Sequence, residues 1–128
     1  LKYFVTNKNS LYPSLNENGI YLRNTINSFC KRNKIPVRMI GIGSMSRILF
    51  TNKPVNSRRE RDLLECSVDF QNSFYYYLLF KKNILVNDNR VIFISTAHKK
   101  KHIEAITQGI IDTLVNFYLP SDFFPVVK

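Results

Sequence analysis

Apolar residues recur at helical spacing in three stretches of the chain. Leu15, Gly19, Leu22, Ile26 and Phe29 step by 4, 3, 4 and 3, which places them on one face of a helix. The spacing predicts a helix from about Tyr12 to Asn33, with Ser10 as N-cap and Pro13 in the first turn, where a missing N–H costs nothing. Gly19 on the apolar face implies close approach of another backbone. Lys31, Arg32 and Lys34 suit the carboxyl end and its partial negative charge, and Pro36 blocks continuation. A second helix is expected from Arg58 to Lys82, with Leu64, Val68, Gln71, Phe74 and Leu78 near one face, Tyr75 and Tyr76 at its sides, and Asn83 at its end. A third runs from Lys99 to Phe117, where Ile103, Ile106, Ile110, Leu114 and Phe117 again step by 3 and 4.

Between the helices the pattern changes to short β-branched and apolar runs. Residues 37–51, VRMIGIGSMSRILFT, read as two strands, with Gly41 and Gly43 between them permitting a bend, a bulge or a close contact. Pro54 and Asn56-Ser57 read as loop. Ile84-Leu85-Val86 is a short strand and Val91–Ser95 another, joined by Asn87-Asp88-Asn89, residues that tolerate left-handed backbone and bond their own main chain. The order is α-β-β-α-β-β-α. It predicts an α+β domain with helices packed on one face of a small, mostly antiparallel sheet.

With 128 residues the chain is one domain's worth and can bury a substantial core. No segment approaches the roughly 18–20 continuous apolar residues of a membrane span. The amino terminus, LKYFVTNKNS, lacks the apolar core and cleavage site of a signal peptide. It starts at Leu1 rather than Met, which fits a piece of a longer polypeptide. Cys30 and Cys66 are far apart and have no CxxC partner, so they read as reduced thiols of a cytoplasmic protein. The formal charge is +10, which suggests an anionic partner. The lysines are spread along the chain without a nucleic-acid-binding signature, which argues against nucleic acid and for a solvated basic surface.

Candidate chemistry concentrates in RVIFISTAHKKKH, residues 90–102. His98 and His102 are four apart, a spacing compatible with metal ligation. No acidic or thiol partner is near, and the three intervening lysines would repel a cation, so a metal site is not expected. Lys99-Lys100-Lys101 opens a helix, where positive charge is disfavoured by about 0.3–1 kcal/mol per group; plain tolerance of that surface cost explains it better than a bound anion. Gly41-Ile42-Gly43-Ser44 lacks the full phosphate-loop patterns. Glu60, Asp62, Glu65 and Asp69 alternate with arginines, which reads as solvated pairing along a helix rather than acid–base catalysis. Arg90 differs. It starts a strand just after a tight turn, where a fixed guanidinium could hold a carboxylate bidentately or simply point to water.

The order of several motifs carries a family resemblance. The helix of residues 11–33, then Ile35-Pro36-Val37, Gly43-Ser44-Met45, Phe50-Thr51, the helix ending before Asn83-Ile84, and Phe93-Ile94-Ser95-Thr96-Ala97-His98 resemble the carboxy-terminal part of class III aminotransferases. The glutamate-1-semialdehyde aminomutase branch is the most similar. The resemblance covers residues 1–118 as a small carboxy-terminal domain and leaves 119–128 as tail or linker. Three departures stand out. Arg90 occupies a position where the aminomutases usually carry glutamate, and an Arg there resembles the aminotransferase domains of polyketide and nonribosomal peptide synthetases. Lys99-Lys100-Lys101 replaces the usual threonine and acidic opening of the last helix, so the usual N-cap is lost. Met45 is followed by Ser46 rather than an aromatic residue.

The resemblance implies a fold type I enzyme whose cofactor, pyridoxal 5'-phosphate, is joined to a lysine of a large domain. No lysine here matches the Schiff-base motif. The chain is therefore expected to lack cofactor-binding and catalytic residues of its own and to be inactive alone. It would close the substrate cleft against the large domain, supplied by the same polypeptide or by a partner chain, in a homodimeric enzyme. Arg90 would hold a substrate carboxylate or the carbonyl side of an acyl substrate. Ser44 and Met45 would line the cleft, or else serve only sheet packing. A domain from such an enzyme should leave apolar, Tyr- and Phe-rich surface uncovered. Two rivals remain: a stand-alone non-enzymatic module that binds a protein or anionic polymer through its basic surface, and a degenerate remnant that merely folds.

Overall fold

The computed structural model describes residues 2–86 and 90–119, with side chains from residue 13 onward. The elements run α1 (Lys2–Arg32), β1 (Arg38–Ile42), β2 (Met45–Leu49), α2 (Arg58–Leu64), α3 (Val68–Lys82), β3 (Val91–Phe93) and α4 (Lys100–Tyr118). The three strands form one antiparallel sheet in the order β1-β2-β3. The α+β class, the antiparallel sheet and the one-sided helical layer are those read from the sequence.

The register explains the layering. Met39 faces Ile48 across β1–β2, and Ser46 faces Gly41 on one side and Ile92 on the other. Their side chains point to the helices, and Met39, Ser46, Ile48 and Ile92 are all buried. Alternation sends Ile40, Ile42, Met45 and Phe93 to the opposite face, where all four are exposed. Against the inner face pack Leu22, Ile26 and Cys30 of α1, Phe74 and Leu78 of α3, and Ile103, Ile110 and Leu114 of α4. Phe50, just past β2, meets Phe74 edge-on with ring centroids 5.2 Å apart and Tyr75 at 6.0 Å. These rings tie the sheet to α3, beyond what area burial alone supplies.

Several boundaries differ from the expectation, each for a local reason. α1 begins at Lys2 and runs through Ser10 and Pro13, so Ser10 is no N-cap and Pro13 is not in the first turn. Lys34 ends the helix in left-handed backbone (φ 56°), and the Ile35 N–H closes back on the Cys30 carbonyl at 2.9 Å. The segment expected as one helix over Arg58–Lys82 is two. The chain extends at Glu65, and the Ser67 hydroxyl accepts the Phe70 N–H at 3.2 Å, opening α3 as a new N-cap. Asn83 closes α3 in the left-handed region, φ 58°. Ile84-Leu85-Val86 forms no strand: the Ile84 N–H is taken by the Leu78 carbonyl of the helix cap. The turn at Asn87-Asp88-Asn89 lies outside the described residues. β3 stops at Phe93, although the Ile94 N–H still reaches the Ser44 carbonyl at 2.9 Å.

Two contacts anchor α1 to the hairpin. The Asn27 side-chain amide donates to the Met39 carbonyl at 2.9 Å and accepts the Met39 N–H at 2.6 Å. It thereby satisfies an edge-strand residue that would otherwise present both groups unpaired. One turn earlier, Arg23 donates to the Gly43 and Met45 carbonyls and to the Ser46 hydroxyl at 3.1, 3.2 and 2.9 Å. Gly19 lies beside these bonds, and a Cβ there would collide with the Gly43 carbonyl oxygen. The close backbone approach expected at Gly19 is real.

Candidate functional site

Arg90 sits one residue before β3 with φ 64°, a conformation that costs a non-glycine residue on the order of 1–2 kcal/mol and persists only where surroundings enforce it. The surroundings are on α3. Nη1 donates to Gln71 Oε1, and Nη2 donates to Asn72 Oδ1 at 2.8 Å. The guanidinium carbon lies 5.6 Å from the centroid of the Tyr75 ring, in cation–π range. Gln71 is buried, and its Nε2 donates to the Cys66 carbonyl at 2.9 Å. The amide is thus oriented by the α2–α3 break and offers Arg90 its oxygen only. All three partners are neutral, and among the described residues no carboxylate forms an ion pair with Arg90.

Arg90 borders two open depressions. One, about 280 Å³, is lined by Asn72, Tyr75, Tyr76, Leu79, Leu85, Val86 and Arg90. The other, about 560 Å³, shares Arg90 and is lined also by Arg47, Arg61, Glu65, Cys66 and Val91. Neither is lined by Ser44 or Met45. Ser44 is in the β1–β2 turn, and Met45 pairs with Phe93 at the opposite end of β3 from Arg90. The three residues are not placed around one cavity: the Arg90 side chain is held on α3, while Met45 is exposed on the outer face of the sheet.

Glu65 has the sequence spacing of a solvated helical ion pair, yet its side chain is only 4% exposed. It accepts the Phe50 N–H at 3.2 Å and lies 3.9 Å from Arg47 and 3.8 Å from Arg61. Burial holds the Arg47 guanidinium below its ordinary range. Repulsion from Arg61 and Arg90 adds to that, and attraction to Glu65 and Tyr75 opposes it. Burial also pushes the Tyr75 hydroxyl up to about 12.

The histidines have local roles. His98 Nδ1 accepts the Ser95 N–H at 2.9 Å, and His102 Nδ1 accepts the Lys99 N–H at 2.9 Å. The second bond satisfies the N–H of the N-cap residue itself; the Lys99 side chain has no acceptor and makes no capping bond to the first turn of α4. The two rings stand 6.4 Å apart, edge to face. Among the described residues no group of three His, Cys, Asp or Glu is arranged to hold a metal ion, and no helix is long and apolar enough to cross a membrane.

Spacing did not reveal the Arg90 cradle. Its one signal was Gln71, a polar residue inside the apolar stripe of the second helix, now explained by its bonds to Arg90 and Cys66.

No family model matches the chain. Two curated proteins do, both named glutamate-1-semialdehyde 2,1-aminomutase. That of Methanosarcina acetivorans is 26% identical over 108 residues, 84% of this chain and 25% of that protein. That of Wigglesworthia glossinidia brevipalpis is 35% identical over 102 residues, 73% of this chain and 22% of that protein. The chain thus spans about a quarter of the length of the curated relatives it matches. Among solved structures, a glutamate-1-semialdehyde aminomutase from Pseudomonas aeruginosa superposes with TM-score 0.73 at 14% identity over 84% of this chain and 23% of that one. A β-phenylalanine aminotransferase from Variovorax paradoxus gives 0.69 at 20% identity, covering 80% and 23%. A transaminase solved with PLP bound gives 0.64 at 16% identity, covering 83% and 23%. The chain is a homologue of a quarter-length part of the glutamate-1-semialdehyde 2,1-aminomutases and has the fold that aminotransferases carry over a similar share of their length.

Proposed function

We propose that this chain is the carboxy-terminal domain of a pyridoxal-phosphate-dependent aminotransferase or aminomutase, and that it closes the substrate cleft and is inactive alone. The observation that carries this reading is the cradle of Arg90. A guanidinium held rigidly by two neutral amides and an aromatic face keeps its full charge for an incoming group. Its planar fork matches a carboxylate. Arg90 would orient the substrate carboxylate, and the apolar outer face of the sheet, Ile40, Ile42, Met45 and Phe93, would pack toward the large domain and exclude water. That face is mostly aliphatic; exposed Tyr and Phe side chains also lie on the helices, with Tyr76 beside Phe80 on α3 and Tyr21 on α1. Ser44 and Met45 would serve this packing edge of the cleft.

Among the described residues no lysine lines the depressions beside Arg90, so these surfaces do not fit the Schiff-base end of the cofactor. When bound in the complete enzyme, pyridoxal phosphate supplies an electron sink; the groups that hold it belong to the large domain in this reading. The reading carries with it a dimeric, cytoplasmic enzyme.

The test is Arg90→Ala and Arg90→Lys in the complete enzyme. Loss of a charged, bidentate contact predicts a fall in kcat/KM of about 10- to 150-fold, seen mainly in KM for the carboxylate substrate. Lysine should rescue only part of it. An unchanged kcat/KM in Arg90→Ala would remove Arg90 from the site, and transaminase turnover by the 128-residue chain with added pyridoxal phosphate would overturn the claim that it is inactive alone.

A further inference from the structure

The break between α2 and α3 reaches Arg90 through one amide. In a continuous helix the Cys66 carbonyl would accept the N–H of Phe70, four residues on. Here the Ser67 hydroxyl takes that N–H at 3.2 Å, and the Cys66 carbonyl accepts Gln71 Nε2 at 2.9 Å instead. A carbonyl only accepts, so it fixes the Gln71 amide with its nitrogen toward Cys66 and its oxygen toward Arg90. Gln71 is 4% exposed and shares the buried side of α3 with Phe74 and Leu78. A buried amide is tolerated there when both of its ends are bonded. Gln71 has both bonds, to the Cys66 carbonyl and to Arg90 Nη1. Asn72, the next residue, presents Oδ1 to Arg90 Nη2 at 2.8 Å. Anchors on both terminal nitrogens fix the place of the guanidinium and oppose its rotation; one anchor would fix its place alone.

We propose that Gln71 and Asn72 are positioning residues for Arg90, and that they set the affinity of the site for a substrate carboxylate by holding the guanidinium in place without neutralising it. This inference rests on the reading of Arg90 as the carboxylate contact. Amide anchors have two consequences. A free arginine loses rotamer freedom when it meets a ligand, and one held beforehand has lost it already. A carboxylate at either anchor would hold the arginine equally well, but it would pair with the charge and repel the incoming carboxylate. Glutamine and asparagine are the uncharged isosteres of glutamate and aspartate, so the two effects separate by substitution. Alanine removes the hold and keeps neutrality. The acid keeps the hold and removes neutrality.

Asn72 carries the kinetic test, because it is half-buried and its replacement opens no core cavity. In the complete enzyme, Asn72→Ala should raise KM for the carboxylate substrate about 2- to 12-fold with kcat unchanged. Asn72→Asp should raise it about ten-fold or more. On top of Arg90→Ala, Asn72→Ala should have no further effect, since it acts only through that guanidinium, whereas local damage to α3 would persist. A second readout needs no turnover. In the 128-residue chain, side-chain nitrogen NMR at low temperature should show Arg90 Nη signals split by hindered rotation and identified by their loss in Arg90→Lys. Asn72→Ala should average them, and so should Gln71→Met, which has similar length and no amide. Averaged signals in the unsubstituted chain, or additive effects of Asn72→Ala and Arg90→Ala, would overturn the proposal. Signals still split in either variant would overturn the role of that residue. The failures are distinguishable. An unchanged kcat/KM in Arg90→Ala removes the Arg90 reading and this inference together. A fall in Arg90→Ala beside an unchanged KM in Asn72→Ala and Asn72→Asp removes this inference alone.

Discussion

Replacing Gly19 with alanine separates local propensity from tertiary packing, because the two predict opposite signs. Gly19 lies in the interior of α1. Propensity alone makes alanine there favourable by about 0.8–1 kcal/mol. The tertiary structure makes it unfavourable. The new methyl would collide with the Gly43 carbonyl oxygen, and that carbonyl is main chain and cannot rotate aside. Either α1 or the β1–β2 turn must move. Forcing an extra methyl into packed structure costs about 1–3 kcal/mol. Movement of the turn also strains the three Arg23 bonds to Gly43, Met45 and Ser46, each with a net contribution of about 0.5–1.5 kcal/mol. The net expectation is a loss of about 1–3 kcal/mol, or roughly 4–12 °C in Tm. Urea or thermal unfolding followed by helical circular dichroism measures it. Gly43→Ala is the control: no atom lies near its Cβ, so only its positive φ of 57° penalises the change, at about 1 kcal/mol. A Gly19→Ala protein as stable as the original, or more so, would refute the close approach of α1 to the hairpin.

Asn27→Ala removes both bonds to the Met39 backbone and should cost about 1–3 kcal/mol by leaving that edge residue unpaired; urea denaturation reads the change, and a loss within error would mean water replaces the side chain. Alkaline pH should destabilise the fold. Burial raises the Cys30 thiol from 9.0 to about 11 and the Tyr75 hydroxyl from 10.0 to about 12, so the native state favours both neutral forms. Their contribution is complete below pH 9, and is lost as pH rises through 9 to 11 for Cys30 and 10 to 12 for Tyr75. Urea midpoints should fall across that window, and Tyr75→Phe should flatten its upper part. The same variant should be no less stable at neutral pH, because the hydroxyl it deletes is buried without a hydrogen-bond partner among the described residues.

Much of the molecule was determined by the chain's own periodicity. The apolar stripes of α1, α3 and α4 are read directly from 3- and 4-residue steps, because a helix has only one face to bury. The paired strands around Gly43 follow from β-branched runs flanking a residue able to adopt positive φ. Gly19 showed its function by position alone, since a glycine inside an apolar stripe has no side chain to contribute and must serve an approach. What periodicity could not supply is competition between partners. Glu65 has the spacing of a surface ion pair, yet the break after α2 carries it under Phe50. Ile84–Val86 has strand composition, yet the cap of α3 takes the Ile84 N–H first. Ser10 is a good N-cap residue with no helix end to cap. The Arg90 site is the extreme case. Gln71, Asn72 and Tyr75 lie 19, 18 and 15 positions before it in the sequence, and no local rule links them. Only the tertiary fold, which brings the residue before β3 within reach of α3, gathers these groups on one guanidinium, because side-chain hydrogen bonds depend on ångström-scale placement that sequence spacing does not encode.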